Sequence, residues 1–319
     1  DFYNQSLAKM VSVYVMRHQP SHMPKTIQVG ESRYHLNFDA YPVLKNRPIE
    51  QFISTYNLNF SGLRSINRRD GFGAEFAFVL PEEKLDRKTP YIVDPLNYAY
   101  KNGRNPNIHT PRYLAATITA QPKGQQSIEK ILTDGDFELL AYDPYQHESV
   151  KVAQKTYPLA ANFSAPYGLW LAQNNLGKAA YLSLIDRDDR LTMPHLYMLE
   201  PYNPNKKVIV LVHGLASSPE AWVRLTNDMM GDQVLREHYQ VWQVFYSTNM
   251  PILESRFQIY ALLTQAFERV DAKAAAKDDA VLVGHSMGGI ISRLLVSNAD
   301  ITQATLALMN NRQLNRYRH

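Results

Sequence analysis

Ser286 is the residue in this chain whose neighbours could turn a hydroxyl into a nucleophile. It stands in Gly284-His285-Ser286-Met287-Gly288-Gly289, a G-x-S-x-G pattern. Ahead of it, Ala280-Val281-Leu282-Val283 is a short aliphatic run of the kind that forms a strand buried on both faces. Behind it, Ile290, Ile291, Leu294 and Leu295 recur at helical spacing. Strand, sharp turn and helix in that order is the setting of a nucleophile elbow. The setting predicts an outlier backbone conformation at Ser286, with glycines two residues either side so that strand and helix can crowd together. The helix beginning there aims its free N–H groups and positive dipole end at an oxyanion forming on an acyl group.

A second motif lies upstream. Val208-Ile209-Val210-Leu211-Val212 reads as another buried strand and runs into His213-Gly214-Leu215. Ser218, Pro219 and Glu220 follow, a helix start with a hydroxyl cap, proline at the first position and an acid in the first turn. On His213-Gly214-Leu215, on Gly284-His285-Ser286-Met287-Gly288-Gly289 and on Arg293 further along the helix, the chain resembles the α/β-hydrolase superfamily, its bacterial lipase and esterase branches in particular. The resemblance covers roughly residues 178–298 and is silent on residues 1–156.

That resemblance implies a mostly parallel sheet flanked by helices and a serine hydrolase that cleaves carboxylic esters, lipid or acyl esters foremost. Ser286 would form an acyl-enzyme, with the backbone N–H groups of Met287 and Leu215 holding the oxyanion. His213, Gly214, Gly284, His285, Gly288 and Gly289 would support the motif, the two histidines through packing and loop hydrogen bonds rather than proton transfer. Acyl transfer to an alcohol or thiol on the same fold is one alternative. A non-catalytic binding or scaffold protein that kept the elbow is another. The superfamily orders its triad as serine, acid, histidine, the last two after later strands. Here Asp300 sits at a helix cap, the wrong place for the acid, and His319 is terminal. The expectation is therefore a fragment of a longer hydrolase, with acid and base downstream and the 319-residue chain inactive as it stands. The Gly-His-Ser-Met-Gly-Gly form resembles that of envelope and secreted lipases, which implies a site outside the cytoplasm.

The elements that must position these residues alternate. Strands are expected at 179–185, 195–200, 208–212 and 240–246, and a helix over about 253–270 carries Phe257, Tyr260, Leu263 and Phe267 on one face. The alternation predicts parallel strands joined by right-handed crossovers, with both motifs at the carboxyl edge of the sheet. Asp186, Asp188 and Asp189 are interleaved with Arg187 and Arg190 and read as a solvated hairpin tip, not a metal site.

The first half of the chain has a different grain. Residues 2–17 read as an amphipathic helix through Phe2, Tyr3, Leu7, Met10, Val11, Tyr14 and Val15, a packing helix in preference to a membrane-surface one. Residues 18–30 form a connection. Short strands near 74–80, 112–120, 137–142 and 149–153, separated by turn residues, predict an antiparallel sandwich or barrel-like domain over 31–156. Arg64, Arg68 and Arg69 are expected on a solvated turn. Tyr98, Tyr100, Tyr142 and Tyr145 are expected to pack with their hydroxyls in water. Residues 157–168 read as a linker, which leaves 157–319 as the hydrolase domain.

Composition narrows the function classes. Charged residues are 20% and hydrophobic residues 45%, a globular balance. A net charge of +4 with a pI near 9.0 is too diffuse to mark a nucleic-acid surface. The aliphatic run Val208–Val212 is far too short to span a bilayer. With no cysteine there is no disulfide, thiolate metal site or cysteine nucleophile, and no cofactor or metal is expected. The partner expected is a small-molecule or lipid ester, with membrane-surface association left open. The opening Asp1-Phe2-Tyr3 lacks an initiator methionine and a signal segment, so the N-terminus is expected to be processed or cut.

Overall fold

The computed structural model describes residues 1–17, 26–60, 62–82, 94–100, 103–173, 193–214, 219–246, 250–277 and 279–297. Their elements run α1 (Phe2–Arg17), β1 (Thr26–Val29), β2 (Ser32–Asn37), β3 (Gln51–Ser54), β4 (Arg68–Arg69), β5 (Ala74–Val79), β6 (Ile108–His109) and β7 (Tyr113–Pro122). They continue with α2 (Ile128–Thr133), β8 (Asp136–Tyr142), β9 (Ser149–Val152), β10 (Lys155–Pro158), β11 (Ala161–Asn162) and α3 (Ala165–Gln173). The last group is β12 (His195–Met198), β13 (Lys207–Gly214), α4 (Pro219–Gly231), α5 (Gln233–His238), β14 (Tyr239–Tyr246), α6 (Ile252–Glu268), β15 (Val281–Gly284) and α7 (Met287–Leu295). No helix among the described residues is long and apolar enough to cross a membrane.

Two compact units result, and both are discontinuous in sequence. The first comprises Asp1–Glu83, Arg112–Gln173 and Val223–Glu237; the second comprises Lys84–Pro111, Asn174–Trp222 and His238–His319. This partition differs from the sequential division at 30 and 156. Ile108 and His109, inside the stretch expected to be a separate β domain, pair in parallel with Leu196 and Tyr197 in the sheet of the second unit. A two-residue strand carries no periodicity, so its sheet cannot be read locally.

The first unit is built on one six-stranded sheet in the order β1-β2-β8-β7-β5-β3. All its pairings are antiparallel except β2 with β8. It is a single mixed sheet covered on both faces, not a sandwich. Phe76, Phe78, Leu114, Ala116 and Ile118 face Leu7, Ala8 and Val11 of α1. Tyr3 adds a hydrogen bond from its hydroxyl to the Ala120 carbonyl at 2.7 Å, while Phe2, expected on the same packed stripe, is 86% exposed. The opposite face is closed by the stretch expected as a linker. Leu159, Ala160, Ala161, Phe163, Ser164 and Ala165 are buried, and the Thr117 hydroxyl donates to the Ala160 carbonyl at 2.5 Å. Small side chains allow that close approach, and their lack of period is what made them resemble a linker. Coverage on both faces also explains why every residue of β5 is buried, erasing the alternation of a half-exposed strand.

Two of the three clustered arginines are likewise structural, contrary to the solvated turn expected, while Arg64 is exposed. Arg69 donates to the carbonyls of Leu159, Pro144 and His147, and Arg68 to those of Thr55 and Tyr56 and to the Glu75 carboxylate.

The second unit is organised around a five-stranded sheet in the order β15-β13-β14-β12-β6. β13 pairs in parallel with both β14 and β15, and β12 runs antiparallel to β14. Val208, Val210, Val212, Trp242 and Val244 point to one face, where Ile259, Leu262 and Ala266 of α6 and Ile291 of α7 complete a buried cluster. Each such side chain contributes about 1.5–3 kcal/mol by leaving water. His213 and Phe245 belong to the other face, where Trp222 of α4 packs. The expected strand 179–185 and the Asp186–Arg190 tip lie outside the described residues.

Candidate active site

The site begins where β15 passes into α7. Gly284 ends the strand, His285 follows, and Ser286 caps the helix with φ 54° and ψ −123°. For a residue with a Cβ that is a strained conformation, away from the left-handed helical well. Ser286 is exposed, and its side chain makes no capping hydrogen bond to the helix. A serine at a helix N-cap ordinarily takes up one of the free first-turn N–H groups. Here the turn leaves the hydroxyl outside the helix, open to a reaction partner.

Two glycines make the turn sterically possible. A Cβ on Gly284 would lie 2.3 Å from the carbonyl oxygen of Gly288, and one on Gly288 would lie 2.3 Å from that of Val212. Both obstacles are backbone, so neither can move aside. Gly289 differs: a Cβ there would meet only the Gly284 carbonyl oxygen, at an ordinary 3.5 Å. Of the motif glycines, 284 and 288 are therefore required by packing and 289 is not.

The first-turn donors are unevenly committed. The Gly288 N–H donates to the His285 carbonyl at 2.9 Å and the Gly289 N–H to the Ser286 carbonyl at 3.0 Å. That leaves the Met287 N–H as the donor beside Ser286 with no acceptor among the described residues. Leu215, the expected second donor, lies outside the described residues, as do Asp300 and His319. Its neighbour Gly214 is described; it ends β13 opposite Tyr246.

Neither motif histidine is arranged as a general base. The His213 ring is fully buried, stacked on Trp222 at 4.6 Å and edge-on to Phe245 at 4.1 Å. Burial, with His285 nearby, lowers its pKa to about 3. A ring that stays neutral so far below neutrality is a weak proton acceptor. His285 is exposed, with its ring edge-on to the Trp222 indole at 5.8 Å. Arg293 is exposed in the last turn of α7, where a cation complements the helix dipole.

Two residues near the motifs escaped the sequence reading. Trp222 lies against both histidines. Tyr246 ends β14 with its hydroxyl 3.6 Å from where a Gly288 Cβ would sit, and burial raises its pKa to about 12. An aromatic residue in a helix or a buried strand is ordinarily core, so residue type alone carried no signal for either.

Residues 203–314 match the family model described as "Putative serine esterase (DUF676)". The matched stretch runs from before β13 to beyond α7 and so contains both motifs around one strained serine. This part of the chain is serine-hydrolase-like. No curated protein and no solved structure matches the chain.

Proposed function

We propose that the chain is a serine hydrolase of carboxylic esters, acting through an acyl-enzyme on Ser286. The observation that carries this reading is the conformation of Ser286. A strained, exposed serine that does not cap its own helix, held between two glycines that only bare backbone can accommodate, has no structural purpose. In the proposed cycle the Ser286 Oγ attacks the ester carbonyl carbon and gives up its proton to a general base. The negative charge moves to the carbonyl oxygen and is held by the N–H groups of Met287 and Leu215. When the tetrahedral species collapses, the bond to the alkoxy oxygen breaks and the alcohol leaves with the proton. Water then releases the acid by the same steps in reverse. The superfamily resemblance assigns the base to a histidine beyond the elbow helix, and the depressed pKa of His213 removes it from that role. Lipid or acyl esters are the proposed substrate class, on the resemblance of the Gly-His-Ser-Met-Gly-Gly elbow to those of lipases.

The test is labelling with a fluorophosphonate followed by peptide mapping, on the protein extended through the acid and histidine that the resemblance implies. The adduct is expected on Ser286 and absent from Ser286→Ala, and a short p-nitrophenyl ester should protect against it. Labelling that spares Ser286, or that persists in the alanine variant, overturns the assignment.

A further inference from the structure

The backbone ladder between β13 and β15 ends at the pair Val212 and Gly284. Beyond it the two strand ends carry the groups that bear on the proposed chemistry: His213 and Gly214 on one, His285, Ser286 and Met287 on the other. No ladder hydrogen bond among the described residues ties these continuations together. A side chain does. The Trp222 indole, 3% exposed near the start of α4, stacks on His213 with an interplanar angle of 22° and meets His285 edge-on at 87°. Phe245 backs His213 from another side at 66°. Stacked and edge-to-face arrangements at these separations are the favoured geometries of ring pairs. One indole thus joins the end of β13 to the residue immediately before the proposed nucleophile.

We infer that Trp222 is a positioning residue: its indole sets the separation between the end of β13 and the elbow, and with it the placement of Ser286 and the Met287 N–H against the substrate carbonyl. The inference rests on the reading of Ser286 as nucleophile. Trp222 touches no reacting atom. Its effect falls on the rate of acylation rather than on ground-state binding, because a displacement of about 1 Å at the reacting groups costs on the order of 100-fold in rate.

The protein extended through the acid and histidine that the resemblance implies is compared as wild type, Trp222→Ala and Trp222→Phe, each first shown to be folded by its unfolding transition. In Trp222→Ala the rate of fluorophosphonate acylation at Ser286, and kcat for a p-nitrophenyl ester, should fall by about 10- to 100-fold with KM unchanged. Trp222→Phe, which keeps a ring between the histidines, should recover most of the loss. A folded Trp222→Ala within twofold of wild type overturns the inference, as does a loss confined to KM.

A second readout does not depend on the alanine variant folding. His285 meets the edge of the Trp222 indole, so tryptophan emission should change in His285→Gln, and that substitution should have no effect on emission once Trp222→Phe is in place. Emission unaffected by His285→Gln overturns the contact itself. Failure of wild-type Ser286 to label, with the emission change in His285→Gln intact, overturns the nucleophile reading and takes the positioning role with it. Normal labelling in Trp222→Ala overturns the positioning role alone.

Discussion

The sharpest consequence of the elbow geometry is that glycine should stabilise the position that serine occupies. Ser286 has φ 54° and ψ −123°, a combination that any Cβ disfavours. Backbone strain of this kind costs about 1–3 kcal/mol. Glycine removes it and gives back roughly 0.5–1 kcal/mol through the extra freedom of the unfolded chain. Ser286→Gly should therefore gain about 0.5–2 kcal/mol. Ser286→Ala keeps the Cβ and the strain, and it loses no hydrogen bond because the hydroxyl does not cap α7. Its stability should stay within about 0.5 kcal/mol of wild type. At about 2–4 °C per kcal/mol for a unit of this size, the glycine variant should melt about 1–8 °C above the alanine variant. Urea unfolding followed by tryptophan emission is the assay, since Trp222 and Trp242 both belong to the second unit. Both variants should be equally inactive, so function and strain separate cleanly. A glycine variant no more stable than the alanine variant would mean that Ser286 is unstrained, and the argument for the elbow would fail.

Other outcomes follow from the same geometry. Gly284→Ala and Gly288→Ala should each lose roughly 3 kcal/mol or more, because the new methyl would meet carbonyl oxygens at 2.3 Å. Gly289→Ala has room and sits in a helix, so it should gain about 0.5–1 kcal/mol; denaturant midpoints of the three decide this. His213 is neutral when folded, with a pKa near 3, but binds a proton when unfolded at about 6.5. Its contribution is therefore complete above about pH 6.5 and declines by about 1.4 kcal/mol per unit as the pH falls towards 3. His213→Phe should flatten that part of the stability profile relative to wild type, and parallel profiles would contradict the burial. Tyr246→Phe removes a buried hydroxyl that has no partner among the described residues. It should raise stability by about 1 kcal/mol, and a loss of that size would show that the hydroxyl is satisfied in solution.

Much of the site was legible because elbow chemistry is local. Gly284, Ser286 and Gly288 are constrained by residues within a few positions and by one strand below, so residue type and spacing were enough to predict strain at the strand–helix junction. The helix at Phe2–Arg17, the strands at 208–212 and 240–246 and the helix near 253–270 declared themselves through sustained periodicity. The stretch 157–168 misled because its burial does not come from a repeating apolar pattern. Small residues there close over Thr117 and Ala115, which lie about forty positions away and look unremarkable in isolation. The arginines at 68 and 69 misled for the converse reason: their charges are absorbed by backbone carbonyls, and a carbonyl is present at every residue.

The sequence by itself determined the strained serine, the glycines that permit the strain and the order of strands that brings His213 and His285 to one sheet edge. Tertiary structure alone decided that Gly289 is spare, that His213 is sealed into neutrality and that Trp222 stands between the two motifs. Backbone strain and strand direction are set by neighbours in the chain, whereas burial and ring contacts depend on segments that meet only after folding.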